Sequence, residues 1–122
     1  MSFHIEARAP AFPQNDGLKL GAWAWRPVVQ LIVDLCDPRV VSRCTYWSSN
    51  EGDGLDADDA MALATELEAI LADGRYDDYA AGRARMLANL PPDSRKHYYD
   101  LDRETVEIVA RFLKQSGGFE IN

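Results

Sequence analysis

The side chains best suited to chemistry lie in the stretch WSSNEGDGLDADDA, residues 47–60. Five carboxylates, an asparagine and two glycines fall within it, and oxygen ligands of this kind bind hard cations. A calcium loop of the EF-hand type needs oxygen ligands at fixed positions, including the first and the twelfth, with glycine at the sixth. With Gly54 at the sixth position the twelfth is Ala60, and with Gly52 there the first is Trp47. Neither register supplies a calcium loop.

The start of a helix accounts for most of these acids. Asp56 is a good N-cap for a helix beginning at Ala57, and Asp59 can bond back to the cap as in a capping box. Acids in a first helical turn are also stabilised by the positive end of the helix dipole. The preceding Asn50 and Asp53 are not needed by this helix. They therefore remain candidate binding residues.

A second group of candidates is aromatic and basic. Trp23, Trp25 and Arg26 precede Pro27, and Trp47 lies further along the chain. Aromatic rings interleaved with a guanidinium could form a platform for stacking or for an anion. In the alternative interpretation the tryptophans belong to the core, and Arg26 extends its charge to solvent or pairs with an acid.

A histidine completes the set of candidates. His97 directly precedes two tyrosines and is the best candidate for a general base, with Asp100 or Asp102 to orient it. Serine elbows and glycine-rich phosphate loops are not present in the sequence. We therefore assign no catalytic residue. The predicted binding residues are Trp23, Trp25, Arg26, Trp47, Asn50, Asp53 and His97.

Metal and disulfide chemistry are not predicted. Cys36 and Cys44 have a spacing that fits no common zinc module, even with His4 and His97 as additional ligands. Both cysteines lie in apolar surroundings, so we expect buried, unreactive thiols and no metal or other cofactor. Two cysteines also give no disulfide framework, which favours a cytoplasmic protein.

The charge of the chain is unevenly distributed. Residues 44–74 contain eight acids and no base, whereas the remainder holds 13 bases and 12 acids, which gives a net charge of −7. Binding to the nucleic-acid backbone needs a basic footprint, so we expect no nucleic-acid partner. No apolar run approaches the roughly 20 residues of a membrane helix, and the N-terminus lacks a hydrophobic signal core, so we expect no membrane association.

The pattern of the chain predicts one mainly helical domain, 1–122, with about five helices. Pro27 fits the first turn of one helix, Asp37 fits the N-cap of the next, and residues 75–90 and 103–115 are predicted to form others. Alternation over residues 2–9 predicts a strand, residues 119–122 are a candidate for another, and a small sheet pairing the two ends would give an α+β fold.

The clearest helix is predicted over residues 57–73, with Gly74 closing it. Asp59, Glu66 and Asp73 recur every seven residues on it and predict a solvated edge. The segment KHYYDL, residues 96–101, is interpreted as a short strand.

Four segments in this order, WAWRPV, WSSNEGDGL, LATELEAILADGR and YYDLDRETVEIVARFLKQSGGFEI, carry a resemblance. They are similar to a group of short, uncharacterised bacterial proteins of chromosomes and mobile elements that share W-x-W-R-P, W-S-x-N-x-G and S-G-G-F-x-I motifs. The likeness covers about residues 12–122 and implies no known activity, fold or ligand. Some members carry a cysteine-rich insertion of the zinc-binding kind, but the corresponding LPPDSRKHYY interval holds no cysteine, so a zinc role does not carry over.

We predict a non-enzymatic binding or interaction protein in which the acidic segment 44–74 and a Trp/Arg patch contact a protein partner or a small molecule. The alternative is a small enzyme with a polar cleft built from the Asn50/Asp53 turn, Arg26 and His97. A mimic of DNA is a third hypothesis, with less support because bases balance the acids elsewhere in the chain. The enzyme hypothesis requires Asn50 and Asp53 to lie beside Arg26 and His97.

Overall fold

The computed structural model describes residues 2–122, and within them it contains five α-helices and four β-strands. The elements in chain order are β1 (Ser2–Ala7), β2 (Gly17–Gly21), α1 (Ala22–Leu35), α2 (Pro38–Val41), β3 (Asp53–Leu55), α3 (Ala57–Ala72), α4 (Arg75–Ala88), α5 (Arg103–Gln115) and β4 (Phe119–Ile121). Short 3₁₀ turns occupy Pro13–Asn15 and Arg95–Tyr98. The predicted fold class, mainly helical with a small sheet that contains the two terminal strands, is confirmed.

The four strands form one antiparallel sheet in the order β2-β1-β4-β3. Ile5 of β1 lies opposite Ile121 of β4, as expected for strands that pair the two ends of the chain. The sheet also includes β2 and β3, two segments that the pattern of the sequence does not predict as strands. Both are outer strands, so each pairs along only one of its sides.

One face of the sheet packs against the helices, because alternate residues of a strand point to the same side. Phe3 and Ile5 of β1, with Phe119 and Ile121 of β4, are almost fully buried. They join a core formed with α1, α3 and α5. One face of α3 is part of this core, with Leu71 half-buried at its end and these residues fully buried: Ala60, Leu63, Ala64, Leu67 and Ile70.

Close packing at β3 explains one glycine. A Cβ atom placed on Gly54 would lie 1.8 Å from the carbonyl oxygen of Phe119 on β4, far inside van der Waals contact. Only glycine lets β3 approach β4 at this position. Part of the stretch 47–60, considered above as a cation loop, is therefore a strand whose glycine allows close backbone packing against β4.

The prediction that Pro27 opens a helix is wrong. α1 begins at Ala22, directly after Gly21 of β2, and Pro27 lies inside it. A proline within a helix has no N–H for the carbonyl four residues earlier, which here is that of Trp23. The backbone N–H of Asp100 donates to this carbonyl at 3.2 Å and so satisfies it.

The predicted solvated edge of α3 is also wrong at two of its three positions. Asp59 is only 6% exposed and pairs with Arg43 of the preceding loop, so it does not complete a capping box. Glu66 is half-buried and accepts the backbone N–H of Asp37 at 2.9 Å. The cap itself is confirmed, because Asp56 accepts the backbone N–H of Asp59.

Two further predictions concern the connections. Asp37 caps α2 as expected, but that helix ends at Val41 after a single turn. The segment predicted as a strand at residues 96–101 instead begins within the 3₁₀ turn Arg95–Tyr98 and continues without regular structure. Gly74 adopts the left-handed conformation predicted for the end of α3, with φ of +88°.

Candidate binding cleft

Asp53 organises the acidic turn. Its Oδ2 accepts the backbone N–H groups of Thr45 and Tyr46 at 2.8 and 2.9 Å, and its Oδ1 accepts that of Gly54 at 2.8 Å. These bonds, the one from Tyr46 above all, hold the pKa of Asp53 below its usual 3.8. The carboxylate thus stabilises the conformation of the connection between α2 and β3.

Asn50 and two of the tryptophans also have structural partners. Asn50 donates from its side-chain amide to the carbonyl of Ser2 at 3.3 Å. Trp25 and Trp47 are buried core residues, and the indole N–H of Trp25 donates to the carbonyl of Trp47 at 2.7 Å. For these two tryptophans the core interpretation is confirmed.

Trp23 differs from them because it is 48% exposed. Its ring lies 4.5 Å from that of Tyr99 and 5.6 Å from that of Tyr98, centroid to centroid, with tilted planes. Tyr98 is itself 68% exposed. The structure therefore forms an exposed aromatic cluster at the start of α1, of which the sequence identified Trp23.

Beside this cluster, α4 stands away from α1. Tyr76 in its first turn is buried, whereas most of its later side chains are exposed or half-buried. The two helices enclose a cleft of about 590 Å³. It is lined by Arg26, Pro27, Gln30, Asp34, Asp78, Tyr79, Gly82, Arg83, Met86, Leu87, Lys96 and Tyr99.

One end of the cleft is basic, and we call Arg26, Arg83 and Lys96 its cationic end. Arg26 donates from Nη1 to the hydroxyl of Tyr99 at 2.7 Å, and its guanidinium carbon lies 5.9 Å from the centre of that ring. Arg83 donates from Nη2 to the carbonyl of Tyr99, also at 2.7 Å. Tyr99 thus holds two guanidinium groups from opposite walls of the cleft.

The other end is acidic, and we call Asp34 and Asp78 its acidic end. Asp34 accepts the hydroxyl proton of Tyr79 at 2.7 Å and the amide of Gln30 at 2.9 Å. Burial raises the pKa of Tyr79, and its bond to the Asp34 carboxylate raises it further. Tyr79 therefore remains a protonated donor that joins α4 to α1.

His97 lies next to the cleft in sequence but is not among its lining residues. Its ring nitrogen Nε2 is 2.9 Å from the carbonyl oxygen of Pro91, so this carbonyl orients the ring. Neither Asn50 nor Asp53 lines the cleft. Of the predicted binding residues the cleft includes only Arg26, with Trp23 stacked on the adjoining Tyr99.

Comparisons with known proteins give no relative. No protein-family model, no curated protein and no solved structure matches this chain. In the described part of the chain, residues 2–122, no group of three His, Cys, Asp or Glu residues is placed to hold a metal ion, and no helix is long and apolar enough to cross a membrane.

Several lining residues were missed from the sequence, among them Asp34, Tyr79 and Arg83. One signal for them was available. Arg26, Gln30 and Asp34 follow one another at intervals of four within an otherwise apolar helix, which places them on one face of α1. A polar row of this kind marks the wall of a cleft as well as it marks a solvated edge.

Proposed function

We propose that this protein is a non-enzymatic binding module whose α1–α4 cleft takes a small organic ligand with an anionic group. The observation that carries the proposal is the pair of guanidinium groups, Arg26 and Arg83, held on Tyr99 from two walls of one cleft. Lys96 adds a third cation to the same cleft. Guanidinium and ammonium groups bind carboxylates and phosphates through charge-assisted hydrogen bonds.

The size and lining of the cleft support a small ligand. Ligand pockets typically measure about 300–1,000 Å³ and combine apolar walls with a few polar groups that fix orientation. Here Pro27, Met86 and Leu87 provide apolar surface, and Tyr99 provides an aromatic ring. A guanidinium has five N–H donors, so the single bond from Arg83 to Tyr99 leaves donors for a ligand.

The acidic segment 44–74 has less support as a binding surface. Six of its eight carboxylates have partners within the protein, namely Asp53, Asp56, Asp59, Glu66, Glu68 and Asp73. These carboxylates already stabilise turns, helix ends and ion pairs within the protein, and the cations among their partners, Arg43, Arg75 and Lys114, offset part of the negative field of the segment. A protein partner that contacts this segment is accordingly a secondary proposal.

The alternative, a small enzyme, has weaker support. It requires Asn50 and Asp53 to share a cleft with Arg26, and these two residues instead fold the turn before β3. His97, the fourth residue of that hypothesis, is not among the lining residues of the cleft. The binding proposal uses residues that do line one cleft.

The experiment is a fluorescence titration with anilinonaphthalene sulfonate, an apolar aromatic anion. Gly82 provides a matched pair of variants, because a Cβ atom there meets only the flexible end of Arg85, at 3.7 Å. Gly82→Phe should fill the cleft and weaken saturable dye binding at least tenfold, whereas Gly82→Ala adds only a methyl group and should weaken it far less. Arg83→Met should weaken it comparably by removing a cation. Equal binding by wild type and Gly82→Phe, or no binding by wild type, would contradict the proposal.

A further inference from the structure

On both walls of the cleft, the cations lie toward one end and the carboxylates toward the other. On α1, Arg26 and Asp34 are eight residues apart on one face. At a rise of 1.5 Å per residue their Cα atoms are about 12 Å apart. The α1 wall therefore runs from a cation to a carboxylate.

The α4 wall runs the same way in space. Tyr79 of α4 bonds to Asp34 at one end, whereas Arg83 meets Arg26 through Tyr99 at the other. Asp78 adjoins Tyr79 in the sequence and also lines the cleft. The two helices are thus antiparallel here, and each places its cation at one end and its carboxylate at the other.

The middle of the cleft has features suited to a backbone amide. Gln30 lies midway between Arg26 and Asp34 and donates its amide N–H to Asp34, which leaves its Oε1 to accept a ligand N–H. Opposite, Gly82 has no side chain, so a ligand can approach α4 closely. Met86 and Leu87 follow Arg83 on α4, so they provide apolar surface at the cationic end of the cleft and not at its middle.

From this arrangement we infer that the cleft binds a short peptide of three or four residues with both termini free. An extended chain advances about 3.3 Å per residue, so such a peptide separates its terminal charges by roughly the length between Arg26 and Asp34. Its carboxylate lies at the cationic end, and its ammonium lies at the acidic end. A simple anion of the same size would leave Asp34 and Asp78 facing a ligand without complementary charge. This inference rests on the proposed function and specifies its ligand.

The test is calorimetric titration with a synthetic tetrapeptide of alanine and leucine in three forms: both termini free, N-acetylated, and C-amidated. The free form should bind at least tenfold more tightly than either blocked form. Asp34→Asn should weaken the free form about tenfold and leave the N-acetylated form unchanged, because that form has no ammonium for Asp34 to contact. Arg83→Gln should have the converse effect, weakening the free form but not the C-amidated form.

The outcomes separate the two proposals. Dye binding that Gly82→Phe abolishes, together with equal affinity for free and N-acetylated peptide, would overturn the peptide assignment and leave the proposed function standing. Absence of both dye and peptide binding would overturn both. Tighter binding of an octapeptide than of the tetrapeptide would also overturn the assignment, because the inferred cleft matches the shorter charge separation. Unchanged thermal unfolding of Asp34→Asn would exclude loss of folding as the cause of weaker binding.

Discussion

The backbone N–H of Asp100 donates to the carbonyl of Trp23 across the start of α1, at 3.2 Å. This carbonyl is available because Pro27, four residues later, has no N–H to offer it. The bond anchors the segment that carries Tyr99, and Tyr99 holds both Arg26 and Arg83. A proline that interrupts the bonding of one helix therefore helps to build the cationic end of the cleft.

Pro27→Ala should loosen that segment without destabilising the fold. The new N–H of residue 27 would compete with that of Asp100 for the Trp23 carbonyl. The free energy that holds the segment around Tyr99 and Asp100 in place would fall by up to about 1 kcal/mol. Hydrogen exchange at the Asp100 amide should then be roughly fivefold faster, while the thermal midpoint does not fall. Pro38→Ala, in the first turn of α2, is the matched control and should leave exchange at Asp100 unchanged. Unaltered exchange in Pro27→Ala would show that the proline is not what frees the carbonyl.

Asp53→Asn should destabilise the protein by about 1–3 kcal/mol, because an amide offers one acceptor oxygen to the three N–H groups that Asp53 now satisfies. The effect should depend on pH. The pKa of Asp53 is lowered in the folded state, so its stabilisation is fully present above 3.8 and is lost as pH falls through the folded-state value.

Denaturant titrations of wild type and Asp53→Asn at several pH values test this prediction. The difference in unfolding free energy should be constant near neutrality and should shrink below pH 3.8, the ordinary pKa of an aspartate. Asp58→Asn is the control, since Asp58 is an exposed acid in the first turn of α3 and should contribute only a few tenths of a kcal/mol. A difference that grows on acidification would contradict the assigned role.

Gly54→Ala and Gly82→Ala should have opposite effects on stability. The first forces a methyl group against the Phe119 carbonyl and should cost about 3 kcal/mol or more, at the upper end for single substitutions. The second replaces glycine inside α4 where there is space and should stabilise the protein by about 0.5–1 kcal/mol. Thermal unfolding of both variants measures the contrast. A mild effect of Gly54→Ala would mean that β3 can move away from β4 at little cost.

Cys36 and Cys44 should be unreactive in the folded protein. Both are buried, and burial raises the pKa of each thiol from 9.0 to about 12, with the charge of Glu66 adding to the effect at Cys36. Because each pKa unit changes the thiolate fraction tenfold, about a thousandfold less thiolate is present at neutral pH than in an exposed cysteine. Iodoacetamide should label neither residue natively and both in urea, as mass spectrometry would show. Rapid native labelling of one cysteine would reveal local opening around it.

The amphipathic helices could be predicted because their apolar residues repeat at the helical period and their ends carry ordinary caps. α3 is recognisable in this way from its stripe, its cap Asp56 and Gly74. α5 is recognisable from its stripe alone, since Asp102 at its N-cap makes no side-chain cap bond. The outer strands β2 and β3 could not be predicted. Each is short. β3 also depends on Gly54, which is needed because the backbone of Phe119, a residue far along the chain, lies directly against it.

The surroundings of single side chains were harder to predict than the fold. Asp59 follows the same spacing as Asp73, yet Asp59 is buried against Arg43 and Asp73 is exposed, because the loop before β3 folds over the start of α3. Likewise Trp23 and Trp25 differ by two residues, which on a helix turns them toward different surroundings. Arg26 and Arg83 both bond to Tyr99, one at its hydroxyl and the other at its backbone carbonyl, and Tyr99 lies in irregular chain that no periodicity describes.

The position of β4 in the sheet has a consequence for how the protein can be made. Phe119–Ile121 lie between β1 and β3, so the β1–β2 hairpin and β3 belong to one sheet only through these late residues. A ribosome synthesises β1 first, and its partner β4 leaves the exit tunnel more than a hundred residues later. The hairpin must therefore remain with an open edge throughout translation of the helices. Chaperone binding to nascent chains would be concentrated in that interval, when the apolar face of β1 has no cover.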